Sequence, residues 1–169
     1  MLNNYQRNVY LSILNSTMIL RSIGKKIKNK KRKLNGFRKN LFEQIDRLIS
    51  LMDSRSLSEQ QILKSIGLLK KKFGISYGQS QKAINVIIKY HFRLYEKNYK
   101  SNKSILHCPI DSEVIKELNQ PKISLSKIDK RKYDDLQKTI KDFASKNGKS
   151  PIDFDDVWDN KSIERNGLS

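Results

Sequence analysis

The chain is 169 residues long and carries 35 Lys or Arg against 17 Asp or Glu, a formal net charge of +18 that points to a polyanionic partner, nucleic acid before an acidic membrane or protein surface. Its single cysteine, Cys108, excludes an internal disulfide and argues against an oxidising compartment. Three Pro and seven Gly among many Ile, Leu, Lys and Gln argue against a turn-rich β fold, and the length suits one domain, or a small domain with a helical arm, around a real core.

Between Leu2 and Ile23 the residues Asn3, Asn4, Gln6, Arg7, Asn8, Asn15 and Arg21 make the chain too polar for a signal-peptide core or a membrane span. The cytoplasm is the expected compartment. Apolar residues recur at Tyr5, Val9, Ile13, Leu20, Ile23 and Ile27, then at Leu34, Phe37, Leu41, Ile45, Leu48 and Met52, which is one face of a helix. Gly24 and Gly36 weaken the middle, so the pattern predicts two helices, or one that bends near Lys28 to Asn35.

After a connection over 53–58, Ser56-Leu-Ser-Glu59 has capping-box spacing ahead of a helix bearing Leu57, Ile62, Ile66, Leu69 and Phe73, which Gly74 stops. A further helix is expected from Gln79 to about Tyr99, with Ala83, Ile84, Ile87, Ile88 and Phe92 on its apolar side. Pro109 disfavours helix at Cys108, and Asp111 stands where an N-cap belongs before Ser112 to Leu118. Ser126 is the expected cap of a helix carrying Tyr133, Leu136, Ile140 and Phe143, closed by Gly148. Pro151 to Trp158 reads as an ordered loop or short turn that docks through Phe154 and Trp158. The expected fold is all-α: a single compact domain of about five or six helices, with a long basic N-terminal helix or helix pair. Its expected parts are a basic helical region over 1–52, a helical core over 53–160 and a flexible tail over 161–169.

Charge is unevenly spread. The first 42 residues hold eleven cations and no acid, ten of the eleven lying between Arg21 and Lys39. Residues 43–141 hold twenty cations against eleven acids, and the last 28 hold four against six. An AT-rich genome inflates Lys without selecting for binding, but it explains the clustering poorly. Lys25, Lys26, Lys28, Lys30, Lys31, Arg32, Lys33, Arg38 and Lys39 are therefore the expected phosphate contacts, with Ile27, Leu34 and Phe37 holding the segment against the body. The bland alternative is a solvated helix face, but acids that would pair the run locally are absent. Such contacts carry no sequence preference.

A second expected surface is Lys82, Asn85, Lys89 and Arg93, which with Gln81 share one helical face and mix amides for base edges with cations for phosphates. The competing reading makes Gln81 and Asn85 internal hydrogen-bonding groups of a helical core. His107-Cys108-Pro109-Ile110-Asp111 is the third cluster. His91, His107 and Cys108 lack zinc-finger spacing, so no metal is expected. A Cys–His pair would need His91 as base, and the plainer reading buries Cys108, turns the chain at Pro109 and caps a helix with Asp111. Neither His91 nor His107 has an Arg four to six residues before it, as the commonest helical ribonuclease signature requires. Asp153, Asp155, Asp156 and Asp159 lack the spacing of a calcium loop, and glycine-rich phosphate loops are absent.

Gly78-Gln-Ser-Gln-Lys-Ala-Ile-Asn85, Lys89-Tyr90, Leu106-His-Cys-Pro-Ile-Asp111 and Pro151-Ile-Asp-Phe near Trp158 together resemble a pattern in small, uncharacterised helical proteins of bacteria and phages. The resemblance covers the C-terminal half and brings no activity. It implies that Gln81, Lys82, Asn85, Lys89, His107 and Asp111 gather as a structural hub or a binding surface. The expected function is non-enzymatic nucleic-acid binding without a cofactor, RNA ahead of DNA, because no duplex-reading motif is evident and a basic arm suits irregular RNA. Two rivals remain: an anti-CRISPR-like phage or mobile-element inhibitor docking on a nucleic-acid-loaded immune effector, and a small nuclease using His91, His107 or the acidic cluster.

Overall fold

A computed structural model describes residues 2–16 and 30–154, with the backbone alone for 30–33. Lys25, Lys26 and Lys28, Trp158 and the expected tail over 161–169 lie outside the described residues. Seven α-helices and no strand are found among the described residues, so the fold is all-α. They are α1 (Asn4–Ser16), α2 (Lys30–Asp53), α3 (Glu59–Phe73), α4 (Tyr77–Leu94), α5 (Glu96–Tyr99), α6 (Ser112–Glu117) and α7 (Lys130–Lys146), with 3-10 turns at Lys100–Ile105, Leu125–Lys127 and Pro151–Asp153. None of these helices is long and apolar enough to cross a membrane.

The centre of the molecule is α4, with fifteen of its eighteen residues buried, so it is enclosed nearly all round rather than on one stripe. The helices α1, α2, α3 and α7 and the turn at Leu125–Lys127 surround it. Its first residue is Tyr77, two before the expected start, and Ser76 caps it: Ser76 Oγ accepts from Gln79 N (3.0 Å) and Gln79 Oε1 accepts from Ser76 N (3.1 Å), a reciprocal cap. Glycine at position 78 is required by approach, since a Cβ there would lie 2.3 Å from the Leu125 carbonyl oxygen and 2.8 Å from Ile128 Cβ. The Gly78 N–H uses that proximity to bond the Ile128 carbonyl at 3.0 Å. The helix does not run through to Tyr99. Tyr95 leaves helical geometry and its N–H is shared between His91 and Phe92 carbonyls, after which α5 restarts as a single turn.

Two caps differ from those read in the sequence. Ser58 rather than Ser56 caps α3, its N–H bonding Gln61 Oε1 at 2.6 Å, because Gln61 stands three residues after Ser58. Asp129 rather than Ser126 caps α7, accepting from Lys132 N at 2.8 Å, while Ser126 pairs with Ser124 at 2.7 Å. Gly74 ends α3 in the left-handed region, at φ 61°, as expected of a terminating glycine. Gly36 does not break α2, which continues through it.

One apolar core spans the described chain. The stripe Phe37, Leu41, Ile45, Leu48 and Met52 of α2 meets Ile62, Ile66 and Leu69 of α3, the apolar side of α4, and Tyr133, Leu136 and Ile140 of α7. Tyr10 and Leu14 of α1 are fully buried in the same cluster, so the N-terminal helices share the core of the rest. Tyr5, read as part of that stripe, is 77% exposed instead, and Phe143 stays half-exposed with its ring edge-on to Phe154 at 5.4 Å. Asp46 fastens the amino end of α1 to α2 by accepting from Leu2 N (2.6 Å) and from Arg7 (2.5 Å).

Candidate nucleic-acid interface

The basic segment enters the described structure as the first turns of α2. Lys30, Lys31, Arg32 and Lys33 form its opening turn, Arg38 is half-buried and Lys39 is exposed. The sequence reading missed what stands beside them. Phe37 meets Phe73 edge-on at 5.3 Å and Lys72 Nζ donates to Asn40 Oδ1, which sets the last turn of α3 against the opening turns of α2. Lys70, Lys71 and Lys72, all exposed, are thereby brought to the foot of the basic segment. Among the described residues, no ion pair engages Arg38, Lys39, Lys70, Lys71 or Lys72. A groove of about 540 Å³ runs between the two helices, lined by Asn40, Gln44, Leu68, Lys71 and Lys72 with Glu43 on its wall. Leu68 is 43% exposed there, and Gln44 Oε1 is buried without a hydrogen-bond partner. The triplet was visible in the sequence as a helix ending, where cations suit the helix dipole; its position beside α2 is a tertiary fact.

The expected second surface does not exist as a surface. Lys82, Asn85 and Lys89 are buried, because neighbouring elements enclose α4 on its polar side as well. Lys82 Nζ pairs with Asp111 at 2.8 Å, and Asp111 at the same time caps α6 by accepting from Glu113 N and Val114 N, both at 3.0 Å. Arg93 is paired with Asp153 (2.8 Å) and Glu96 (3.6 Å), and Lys103 bridges the same two acids. The internal reading of Gln81 and Asn85 is the correct one. Gln81 grips both backbone groups of Ile110, donating to its carbonyl at 2.7 Å and accepting from its N–H at 3.2 Å. Asn85 Nδ2 donates to Gln81 Oε1 (3.1 Å) and to the Tyr133 hydroxyl (3.0 Å).

From Tyr133 the hydrogen bonds continue outward. The Glu59 carboxylate can only accept, so His107 Nε2–H donates to its Oε1 at 2.9 Å, and the ring's other nitrogen, Nδ1, accepts from the Tyr133 hydroxyl at 2.6 Å. This Tyr–His–Glu relay joins α7, the segment before Pro109 and the first residue of α3, and it fixes the imidazole as its Nε2–H tautomer. Burial drives the Tyr133 phenol well above its usual range, while the His107 hydrogen bond, against some desolvation, holds the Glu59 carboxyl below its own. Glu59 and His107 stand in a cleft of about 430 Å³ between the start of α3, one face of α7 and Ser104–Ile105.

His91 forms a similar chain around an enclosed ring, ending on the exposed Asp53: Tyr10 hydroxyl to Nδ1 (2.8 Å), Nε2–H to Tyr99 oxygen (3.3 Å), Tyr99 hydroxyl to Asp53 Oδ1 (2.6 Å). Burial lowers the His91 pKa to about 4, outweighing the attraction of Asp53, and raises that of Tyr10 to about 12. His91 and His107 thus belong to separate networks. Cys108 is fully buried, its backbone carbonyl accepting from Gln137 at 2.6 Å, so it offers no accessible nucleophile. Asp153 is occupied by cations, and Asp155, Asp156 and Asp159 lie outside the described residues. Among the described residues, no group of three or more His, Cys, Asp or Glu is placed to hold a metal. No protein-family model matches the chain, and no curated protein or solved structure matches it.

Proposed function

We propose that this protein binds nucleic acid non-enzymatically, single-stranded or irregular RNA in preference to duplex DNA, through the opening turns of α2 and the last turn of α3. One observation carries the reading: Lys70, Lys71 and Lys72 lie against α2 at Phe37 and Asn40, next to Arg38 and Lys39, extending a cation cluster with which no described acid forms an ion pair. Gathering like charges at one edge opposes folding slightly, and a polyanion reverses that cost by releasing its counterions. The groove beside them offers an exposed Leu68, an apolar contact suited to an unpaired base.

The test is binding of a labelled single-stranded RNA across a salt series. With Lys70, Lys71 and Lys72 changed to Glu, affinity is expected to fall at least about tenfold and the slope of log K against log salt to shrink by about 2, at roughly 0.7 per lost phosphate contact. Absence of binding by the unaltered protein in dilute salt, or an unchanged slope in the variant, overturns the reading.

A further inference from the structure

The geometry points to a second ligand site, in the cleft between the start of α3 and α7, that takes the phosphate monoester of a nucleotide. This cleft is distinct from the RNA edge. It holds Glu59, the first residue of α3, whereas Lys70 to Lys72 close the same helix, about 20 Å away at 1.5 Å per residue.

Three features of the cleft define its ligand. The first is charge. Lys130 is matched by Asp134 at 2.5 Å, but Lys138 and Lys141 face the single carboxylate of Glu59, which is itself committed to His107. One positive charge is left over. Lys138 and Lys141 stand three residues apart on one helix, so they are neighbours. Two flexible ammonium groups suit the several oxygens of a phosphate.

The second is an unanswered acceptor. Gln137 lines the same cleft, is 7% exposed and donates its Nε2 to the Cys108 carbonyl, yet its Oε1 has no hydrogen-bond partner. Buried amide oxygens are ordinarily satisfied. A ligand that brings N–H or O–H donors beyond those of its anion engages that oxygen once the Gln137 amide turns toward the cleft, and the ribose hydroxyls and base N–H groups of a nucleotide supply such donors.

The third is rigidity. His107 is 7% exposed and has both ring nitrogens bonded, so the Tyr133–His107–Glu59 relay fixes one wall of the cleft through three separate elements. The volume of about 430 Å³ lies within the range of small-ligand sites.

Calorimetric titration of the full chain with AMP, adenosine and inorganic phosphate in dilute buffer tests the assignment. AMP is expected to bind more tightly than either fragment. In Lys138→Ala/Lys141→Ala, two exposed positions that leave the core intact, AMP affinity should drop at least about tenfold. Changing Lys70, Lys71 and Lys72 to Glu should leave it unaltered, which separates this site from the RNA edge whether or not that edge binds RNA. A 5′-phosphorylated RNA compared with its 5′-hydroxyl form, in the background lacking Lys70 to Lys72, distinguishes a strand end from a free nucleotide as the source of the phosphate. Failure of millimolar AMP to bind, equal binding by a dicarboxylate such as succinate, or insensitivity to loss of Lys138 and Lys141 overturns the site.

Discussion

The two histidines make one kind of connection in two surroundings. His91 receives a proton from Tyr10 and passes one through Tyr99 to Asp53, with the imidazole enclosed among α1, α4 and α5. His107 receives one from Tyr133 and passes one to Glu59, whose side chain is 51% exposed at the edge of a cleft. Each chain runs from a buried tyrosine hydroxyl through an imidazole to a carboxylate. The first acts as a bracket fastening α1 to α4 and, through Tyr99 and Asp53, to α2. In the second, the carboxylate end meets water and lysines, so the same bracket also shapes a surface that a ligand can reach. The carboxylates Asp53 and Glu59 are both exposed, so neither burial of the terminal groups nor the choice of residues separates the clamp from the candidate site; the lysines that line a cleft with Glu59 do.

The most disruptive way to break the comparison is at the root of the His107 relay. Gln81→Leu removes the grip on both backbone groups of Ile110 and one acceptor of Asn85, all in the interior. Leaving buried polar groups unmatched at about 1–3 kcal/mol each gives an expected loss of about 4 kcal/mol, read as a lower urea midpoint with an unchanged m-value. The loss should reach the cleft, with AMP binding weakened, while the His91 pKa stays depressed. A loss below about 1 kcal/mol would mean that Gln81 holds nothing together.

Acid sharpens the comparison next. A histidine near 6.5 when unfolded and at about 4 when folded binds its proton more readily in the unfolded chain. Its contribution is therefore complete above pH 6.5, declines as pH falls from 6.5 to 4, and declines no further below that. The span corresponds to about 3 kcal/mol at the low end. In His91→Gln the amide can still accept from Tyr10 and donate to Tyr99, but it does not titrate. The stability difference between the natural chain and this variant should narrow or reverse sign across that window. A difference that stays constant with pH refutes the enclosed-histidine account.

How much of this was legible beforehand depended on the range of the interaction. Helical periodicity gave α2, α3 and α7 because the pattern Phe37, Leu41, Ile45, Leu48 and Met52 needs no partner to be recognised. Caps were misplaced where two candidates lay close together, Ser56 with Ser58 and Ser126 with Asp129, since only geometry chooses between them. The polar face of α4 was ambiguous in principle: Gln81, Lys82, Asn85 and Lys89 have the same spacing whether they face solvent or neighbouring chain, and the answer came from α6, α7 and the 106–111 segment closing over them. The basic segment was plain to see, but its extension by Lys70 to Lys72 was not, because the Phe37–Phe73 contact that joins them spans 36 positions. Nothing local announces that Glu59, His107 and Tyr133 meet. What did carry over was the gathering of Gln81, Asn85 and His107 in one place, which Tyr133 accomplishes.

The smallest expected effect is the most discriminating between the two relays. Glu59 is half-exposed, so its pairing with His107 is weakened by solvent, and Glu59→Gln should cost below about 1 kcal/mol because the amide oxygen still accepts from His107 Nε2–H. Its carboxyl pKa is lowered in the folded chain, so its contribution is present above the ordinary value of 4.5 and is lost as pH falls through the folded value. The variant should therefore flatten only the most acidic part of the stability curve and leave the His91 window untouched. Removing this one negative charge opposite Lys138 and Lys141 should meanwhile strengthen AMP binding by about two- to fivefold, a coupling of at most about 1 kcal/mol. A large destabilisation together with weakened AMP binding would mean that Glu59 holds the two helices together rather than balancing charge in the cleft.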